Sequence, residues 1–180
     1  MLDFASETMI EVEVRASPIE GLGVFAVSPV QEGELIREYN LVREVTSNTP
    51  IDRSQGERIE HCTYPGDKVF LVGFPDRHFN HSCDPNAFKR FHASAIQLIS
   101  RRRIEVGTEI THDYLINSHG GSRWPCNCGA ERCRGEAVPS FFDLPRPIQL
   151  EYLPLLAPWF LDRHPEQIAA LADEARSLGT

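Results

Sequence analysis

Two stretches of the 180-residue sequence concentrate groups able to do chemistry. "NHSCDPN", Asn80 to Asn86, sets an amide, an imidazole, a hydroxyl and a thiol side by side, and "CNCGAERC", Cys126 to Cys133, spaces three thiols as C-x-C-x4-C. Four adjacent polar groups are not buried cheaply, since each unpaired one costs about 1 to 3 kcal/mol; the first stretch must therefore find partners. Three thiolates this close form a soft ligand set suited to zinc. A structural zinc normally takes four ligands, so a fourth comes from elsewhere, with Cys83, Cys62 and a histidine as candidates. The single residue between Cys126 and Cys128 departs from the C-x-x-C spacing of a redox pair. Gly129 lets the chain turn so that the thiolates face one point, and Arg132 and Arg134 are candidates to set positive charge near them.

The elements that must hold these groups are mostly short strands. "MIEVEVRA" alternates, with Ile10, Val12 and Val14 on one side and Glu11, Glu13 and Arg15 on the other, as a half-buried strand does. "GVFAV", "ELIREY", "KVFLVGF", "SAIQLIS" and "TEITHDY" follow, separated by Gly, Pro, Asn and Asp. Residues 46–68 are polar and aperiodic, an exposed insertion with room for a short helix. After Gly135 the pattern becomes helical: Ile168, Leu171, Ala172, Ala175 and Leu178 recur at helical spacing, with Pro165 suited to the first turn and Gly179 to a C-terminal cap. Arg101, Arg102 and Arg103 read as a solvated strand end.

Composition narrows the class. A hydrophobic fraction of 41% and a charged fraction of 24% are those of an ordinary soluble globular domain, and no apolar run is long enough to span a bilayer. The N-terminus lacks the basic-then-apolar layout of a signal peptide. With the clustered cysteines, this places the chain in a reducing, intracellular compartment, cytoplasm or nucleus. A net charge of -8 argues against direct nucleic-acid binding and for a basic partner. Lys68 and Lys89 are the only lysines.

Four motifs in order across residues 10 to 135 resemble one family, the SET-domain protein lysine methyltransferases. "RHFNHSCDPN" (Arg77 to Asn86) is similar to the family's Arg-Phe-x-Asn-His-Ser-Cys-x-Pro-Asn, "GTEITHDY" (Gly107 to Tyr114) to its Gly-Glu-Glu-Leu-Thr-x-Asp-Tyr, and "GLGVFA" (Gly21 to Ala26) to its Gly-x-Gly opening. The cysteine run is similar to the post-SET segment. The resemblance implies a mainly β, β-clip-like fold of several small sheets with a pseudoknot joining the Asn80 to Cys83 and Tyr114 segments. Its parts would be a SET domain over 1–120, a post-SET zinc segment over 121–138 and a helical extension over 139–180.

Function and site follow from the same resemblance. The reaction implied is transfer of methyl from S-adenosylmethionine to the ε-amine of a lysine in a basic protein, histone or other. A non-catalytic binding module and methylation of a non-protein amine are the alternatives. Cys83 would join Cys126, Cys128 and Cys133 on one Zn2+. Asn80 and His81 would meet the cofactor through main-chain and amide contacts, and Leu22 through its main chain, with Gly21 and Gly23 permitting close approach. Tyr114 would be the catalytic residue and also touch the cofactor. Trp124 would cover adenine, wall the lysine channel or pack beside zinc. Ser82, Asp84, Pro85 and Asn86 would form a turn, and Asp113 would brace the main chain. Tyr64 or Phe70 would give a second channel aromatic, and Glu57, Glu60 and Asp67 would draw in a basic segment. The chain departs from the family where Glu136 and Ala137 follow the last cysteine motif in place of Trp-Leu; Phe141 or Phe142 would take over there.

Overall fold

The computed structural model describes residues 9–92 and 95–178. Gly179 lies outside the described residues, as do residues 1–8, on which the signal-peptide reading falls. Among the described residues are twelve short strands: β1 (Val12–Ala16), β2 (Leu22–Ala26), β3 (Leu35–Glu38), β4 (Leu41–Glu44), β5 (Cys62–Thr63), β6 (Phe70–Val72), β7 (Asn80–His81), β8 (Ala87–Phe91), β9 (Ile96–Ser100), β10 (Thr111–His112), β11 (Trp124–Pro125) and β12 (Glu136–Ala137). Three helices follow: α1 (Arg146–Tyr152), α2 (Pro158–Arg163) and α3 (Pro165–Leu178).

The strands form four sheets, ordered β1-β2, β3-β9-β8-β10-β7, β4-β6-β5 and β11-β12. Ile10, Val12 and Val14 face a core of Val24, Ile36, Leu98, Ile104 and Ile110, as alternation requires. The five-stranded sheet carries the fold's central feature. β10 runs parallel to β7, with Thr111 opposite Asn80 and His112 opposite His81, which lays the second motif beside the first. Their side chains are polar and buried, so this pair is held by specific bonds rather than by apolar burial.

Residues 46–68 are less of an excursion than their polarity suggests. They contain two 3-10 turns, Arg53–Gln55 and Ile59–His61, and then β5 returns to pair with β6. Arg43 bonds the Glu57 carboxylate and the carbonyls of Thr49 and Pro50, tying the segment to β4. The helical tail builds a second core with Leu115, in which Phe141, Tyr152, Phe160 and Leu171 are fully buried. Prolines open α2 and α3, where a missing N–H costs nothing. Leu178, expected on the buried stripe, is 70% exposed because the helix outruns the surface it packs on.

Candidate active site and metal centre

Asn80 sits in β7 with its amide turned toward the N-terminal hairpin. Its Nδ2 donates to the carbonyls of Glu20 and Leu22, both at 3.1 Å, and to Glu109 Oε1 at 2.8 Å. The amide nitrogen is thus engaged in fixing the loop that carries Leu22, which itself is 45% exposed. Glu109 is the hub of this corner and the sequence reading passes over it. Its carboxylate also accepts from Ser17 Oγ at 2.9 Å, and its main-chain carbonyl accepts from Asn86 Nδ2 at 2.8 Å. A Cβ at Gly23 would stand 2.2 Å from Glu109 Oε1, so Gly23 makes room for this carboxylate. Gly21 has φ +49°, a left-handed turn with open space around it.

His81 connects this corner to the thiols. Its Nδ1 accepts from the Tyr114 N–H at 3.2 Å, which leaves its proton on Nε2, 3.5 Å from Cys83 Sγ. Burial, against the opposing pull of Asp113, lowers its pKa to about 4 and keeps the ring neutral. The imidazole is accordingly a strut between Tyr114 and Cys83. Both of its ring nitrogens are engaged within the chain.

The Tyr114 hydroxyl donates to the Phe79 carbonyl at 2.7 Å, while the residue keeps 45% of its surface open. Desolvation and then the Glu109 carboxylate raise its pKa, so it stays a phenol. Trp124 packs edge-on to His81 at 5.0 Å and tilted to Tyr114 at 6.2 Å. Asp113 does more than brace the chain: it accepts from the Leu115 N–H, from Arg134 Nη1 at 2.8 Å and from the Tyr152 hydroxyl at 3.2 Å, wiring β10 to the tail. Ser82 Oγ accepts from the Asp84 N–H as a turn residue should, whereas Asn86 instead clamps Glu109 and the Thr111 N–H. Arg101 is not solvated: it bonds the Pro85 carbonyl and Glu151 on α1.

The thiols of Cys83, Cys126, Cys128 and Cys133 all lie within 4.8 Å of one another. Zinc–sulfur bonds of about 2.3 Å imply tetrahedral edges of about 3.8 Å, so the set fits zinc with a small contraction. Main-chain N–H groups already point at sulfur: Cys83 at Cys128, Arg134 at Cys83 and Gly135 at Cys133, each 3.4 Å. Burial would raise the Cys128 thiol, but N–H donors from Cys83 and Ala130 overcome it and bring it down to about 7, while burial lifts Cys83 to about 11. Such a divided set needs a cation to hold all four as thiolates. Gly129 turns with φ +69°, as expected. Cys62 stands apart on β5, and Arg132 serves Glu151 and Asp84 instead of the thiolates.

Tyr114 looks into a cleft of about 880 Å³ between the 46–68 segment, the β body and the tail. Tyr64 and Trp124 line it; Phe70 does not, nor do Phe141 and Phe142, which are packed in the tail core. Tyr39, Phe79, Trp159 and His164 line it instead. Tyr39 ends the "ELIREY" run, and that position is the signal that could have found it. Of the acids expected to attract a substrate, Glu57 is taken by Arg43 and Asp67 faces Arg163, leaving Glu60 on the cleft. Among the described residues no helix is long and apolar enough to cross a membrane.

The chain is similar to known proteins. The chain is 35% identical over 135 residues to human histone-lysine N-methyltransferase 2B, covering 68% of this chain, and 27% identical over 142 residues to the H3 lysine-36 specific histone-lysine N-methyltransferase of Candida albicans, covering 72% of it. The matches span only 5% and 17% of those relatives' own lengths. The crystal structure of KRYPTONITE in complex with mCHG DNA and SAH superposes with a TM-score of 0.52 at 24% identity, over 71% of this chain and 29% of that one, and shares the fold. The model of the SET domain matches residues 21–115, more than half of the sequence, and the chain belongs to the SET-domain family.

Proposed function

We propose that this protein transfers a methyl group from S-adenosylmethionine to the ε-amine of a protein lysine. The observation that carries the reading is the placement of Tyr114: its hydroxyl is fixed by the Phe79 carbonyl, and it lines the aromatic cleft next to the corner formed by Leu22, Asn80 and His81. When bound, S-adenosylmethionine supplies an electrophilic methyl on a sulfonium. The chain's own residues do the rest by position. Gly21, which is exposed, and Leu22 would meet the cofactor through their main chain, with the main chain of Asn80 and His81 beside them and Trp124 and Tyr114 as a wall. The aromatic cleft strips water from the acceptor, which disfavours its ammonium form; a free lysine has a pKa of about 10.4. Tyr114, kept protonated, orients groups at the cleft's inner end, and such positioning contributes roughly 7 to 11 kcal/mol in well-aligned reactions. Cys83, Cys126, Cys128 and Cys133 would hold one zinc that ties the post-SET segment over 121–138 against the 1–120 body, leaving 139–180 as the extension. The named relatives act on histone lysine, which makes histone H3 in a cellular compartment the first acceptor to try and suits a net charge of -8.

The test is transfer of labelled methyl by zinc-loaded protein to histone H3 and to a cell lysate. Label should enter a lysine, and Tyr114→Phe should lose on the order of 100-fold in kcat while binding cofactor within twofold. Wild-type protein that binds cofactor and labels no lysine would sink the reading in favour of a binding module.

A further inference from the structure

Lys89 projects from β8 into the cleft itself. Its ammonium lies 4.8 Å from the centroid of the Tyr39 ring and donates to Thr63 Oγ1 at 3.3 Å. The contacts run on to Tyr114: the Tyr39 and Phe79 rings are 6.0 Å apart, the Phe79 carbonyl holds the Tyr114 hydroxyl, and the His112 ring is 4.8 Å from that of Tyr114. His112 registers the charge, since after burial it is Lys89 that most depresses its pKa. Asp76, an acid on the same cleft, is already committed to Arg37 and to the Asn40 N–H. Burial lowers the Lys89 amine to about 8 with no acid opposing it, so most molecules still carry the charge at neutral pH.

We propose that Lys89 is a specificity-determining residue of this cleft, a fixed positive charge that rejects the acceptor's ammonium form and admits the neutral amine. The inference rests on the lysine-methylation reading above. An ammonium held by one hydroxyl and one aromatic face is only partly compensated, and a second ammonium brought beside it in a partly dried cleft is repelled. The acceptor's proton then passes to water as the side chain enters. Methyl transfer consumes the neutral amine, so the charge removes a bound form that cannot react and leaves the reactive one untouched.

The sulfonium of S-adenosylmethionine is a permanent cation, and its product S-adenosylhomocysteine is neutral at that sulfur. The ratio of their affinities reads the potential at the transfer point without any acceptor. Calorimetry on the zinc-loaded full chain should show Lys89→Met shifting the ratio toward S-adenosylmethionine by about fivefold, with Lys89→Arg within twofold of wild type; Lys89→Gln replaces the Met variant if that one does not fold. On an acceptor protein, kcat and KM should fall together in Lys89→Met and kcat/KM should hold, with Arg restoring both. An unchanged affinity ratio, or a loss of kcat/KM at constant KM, overturns the proposal and leaves the methyltransferase reading standing. Failure of wild-type protein to bind either ligand sinks both.

Discussion

On the thiol side of Tyr114 nearly every polar group is spoken for; on the cleft side several are not. His81, Asp113, Arg134 and Tyr152 form a closed, buried network that runs from the thiols to the tail. Across Tyr114, the Tyr39 hydroxyl, the Trp159 indole N–H and His164 Nε2 are buried with no bonded partner among the described residues, and no acid among them pairs with Lys89. A closed network fixes one geometry because each member loses its partner if another moves, whereas open groups are held ready for something that enters. The first side is built to position and the second to receive. Arg134 is the one exception on the closed side, with Nε and Nη2 unpartnered.

The largest effect should come from breaking the thiol set. Cys126→Ser removes its most buried member but one and should reduce bound zinc from one per chain to none; structural zinc contributes on the order of 10 kcal/mol in small zinc domains. Because the β body has its own core, the loss should be local. Limited proteolysis should cut residues 121–138 while Val24 to Ile110 stay protected. Retention of zinc by the variant would break the assignment. Next in size, Arg134→Met leaves the fully buried Asp113 carboxylate unpaired and should cost roughly 3 to 5 kcal/mol in urea unfolding. A cost below about 1 kcal/mol, the range of exposed pairs, would show the network to be open after all.

Much of this was legible in the sequence, and the pattern of misses is physical. Motifs whose chemistry is local could be read: the three clustered cysteines, the Gly129 turn and the alternation of Ile10, Val12 and Val14 needed no tertiary knowledge. The strand β8 escaped because "AFKRF" has no clean alternation; its pairing with β9 over five residues imposes the conformation. Glu109 escaped because its three partners, Ser17, Asn80 and Asn86, are brought to it only by the fold. The cleft was the hardest part, since Tyr39, Lys89 and Trp159 are distant in sequence and are gathered around it only by the fold. Asn80 and His81 were legible as a motif, while the bonds that the Asn80 amide nitrogen and the His81 ring make to other residues of the chain were not.

A smaller effect tests the corner that joins the two sides. Glu109→Ala leaves the Ser17 hydroxyl without its acceptor and removes one of the three acceptors that orient the Asn80 amide, at about 1 to 3 kcal/mol, and so loosens the Glu20 to Leu22 loop that Ser17 and Asn80 hold. Cofactor affinity by calorimetry should weaken about tenfold, the equivalent of 1.4 kcal/mol. An unchanged affinity would mean the loop needs no such anchor.

The smallest effect is a pH slope, and it asks whether the open side is truly dry. Lys89 titrates at about 8 in the folded chain against an ordinary 10.5. Between those values the unfolded chain holds a proton that the native state has lost, so stability rises with pH across the window. Below about 8 both states are protonated and the native state bears the full cost of the buried charge. Lys89→Met has no such proton, and the difference in urea midpoint between wild type and variant, measured at pH 8 and again at pH 10.5, should move in favour of the wild type. Parallel pH slopes would mean that water reaches the Lys89 ammonium. A wet cleft would neither strip an acceptor nor sharpen the repulsion between two amines, and the contrast between the two sides of Tyr114 would reduce to one of packing.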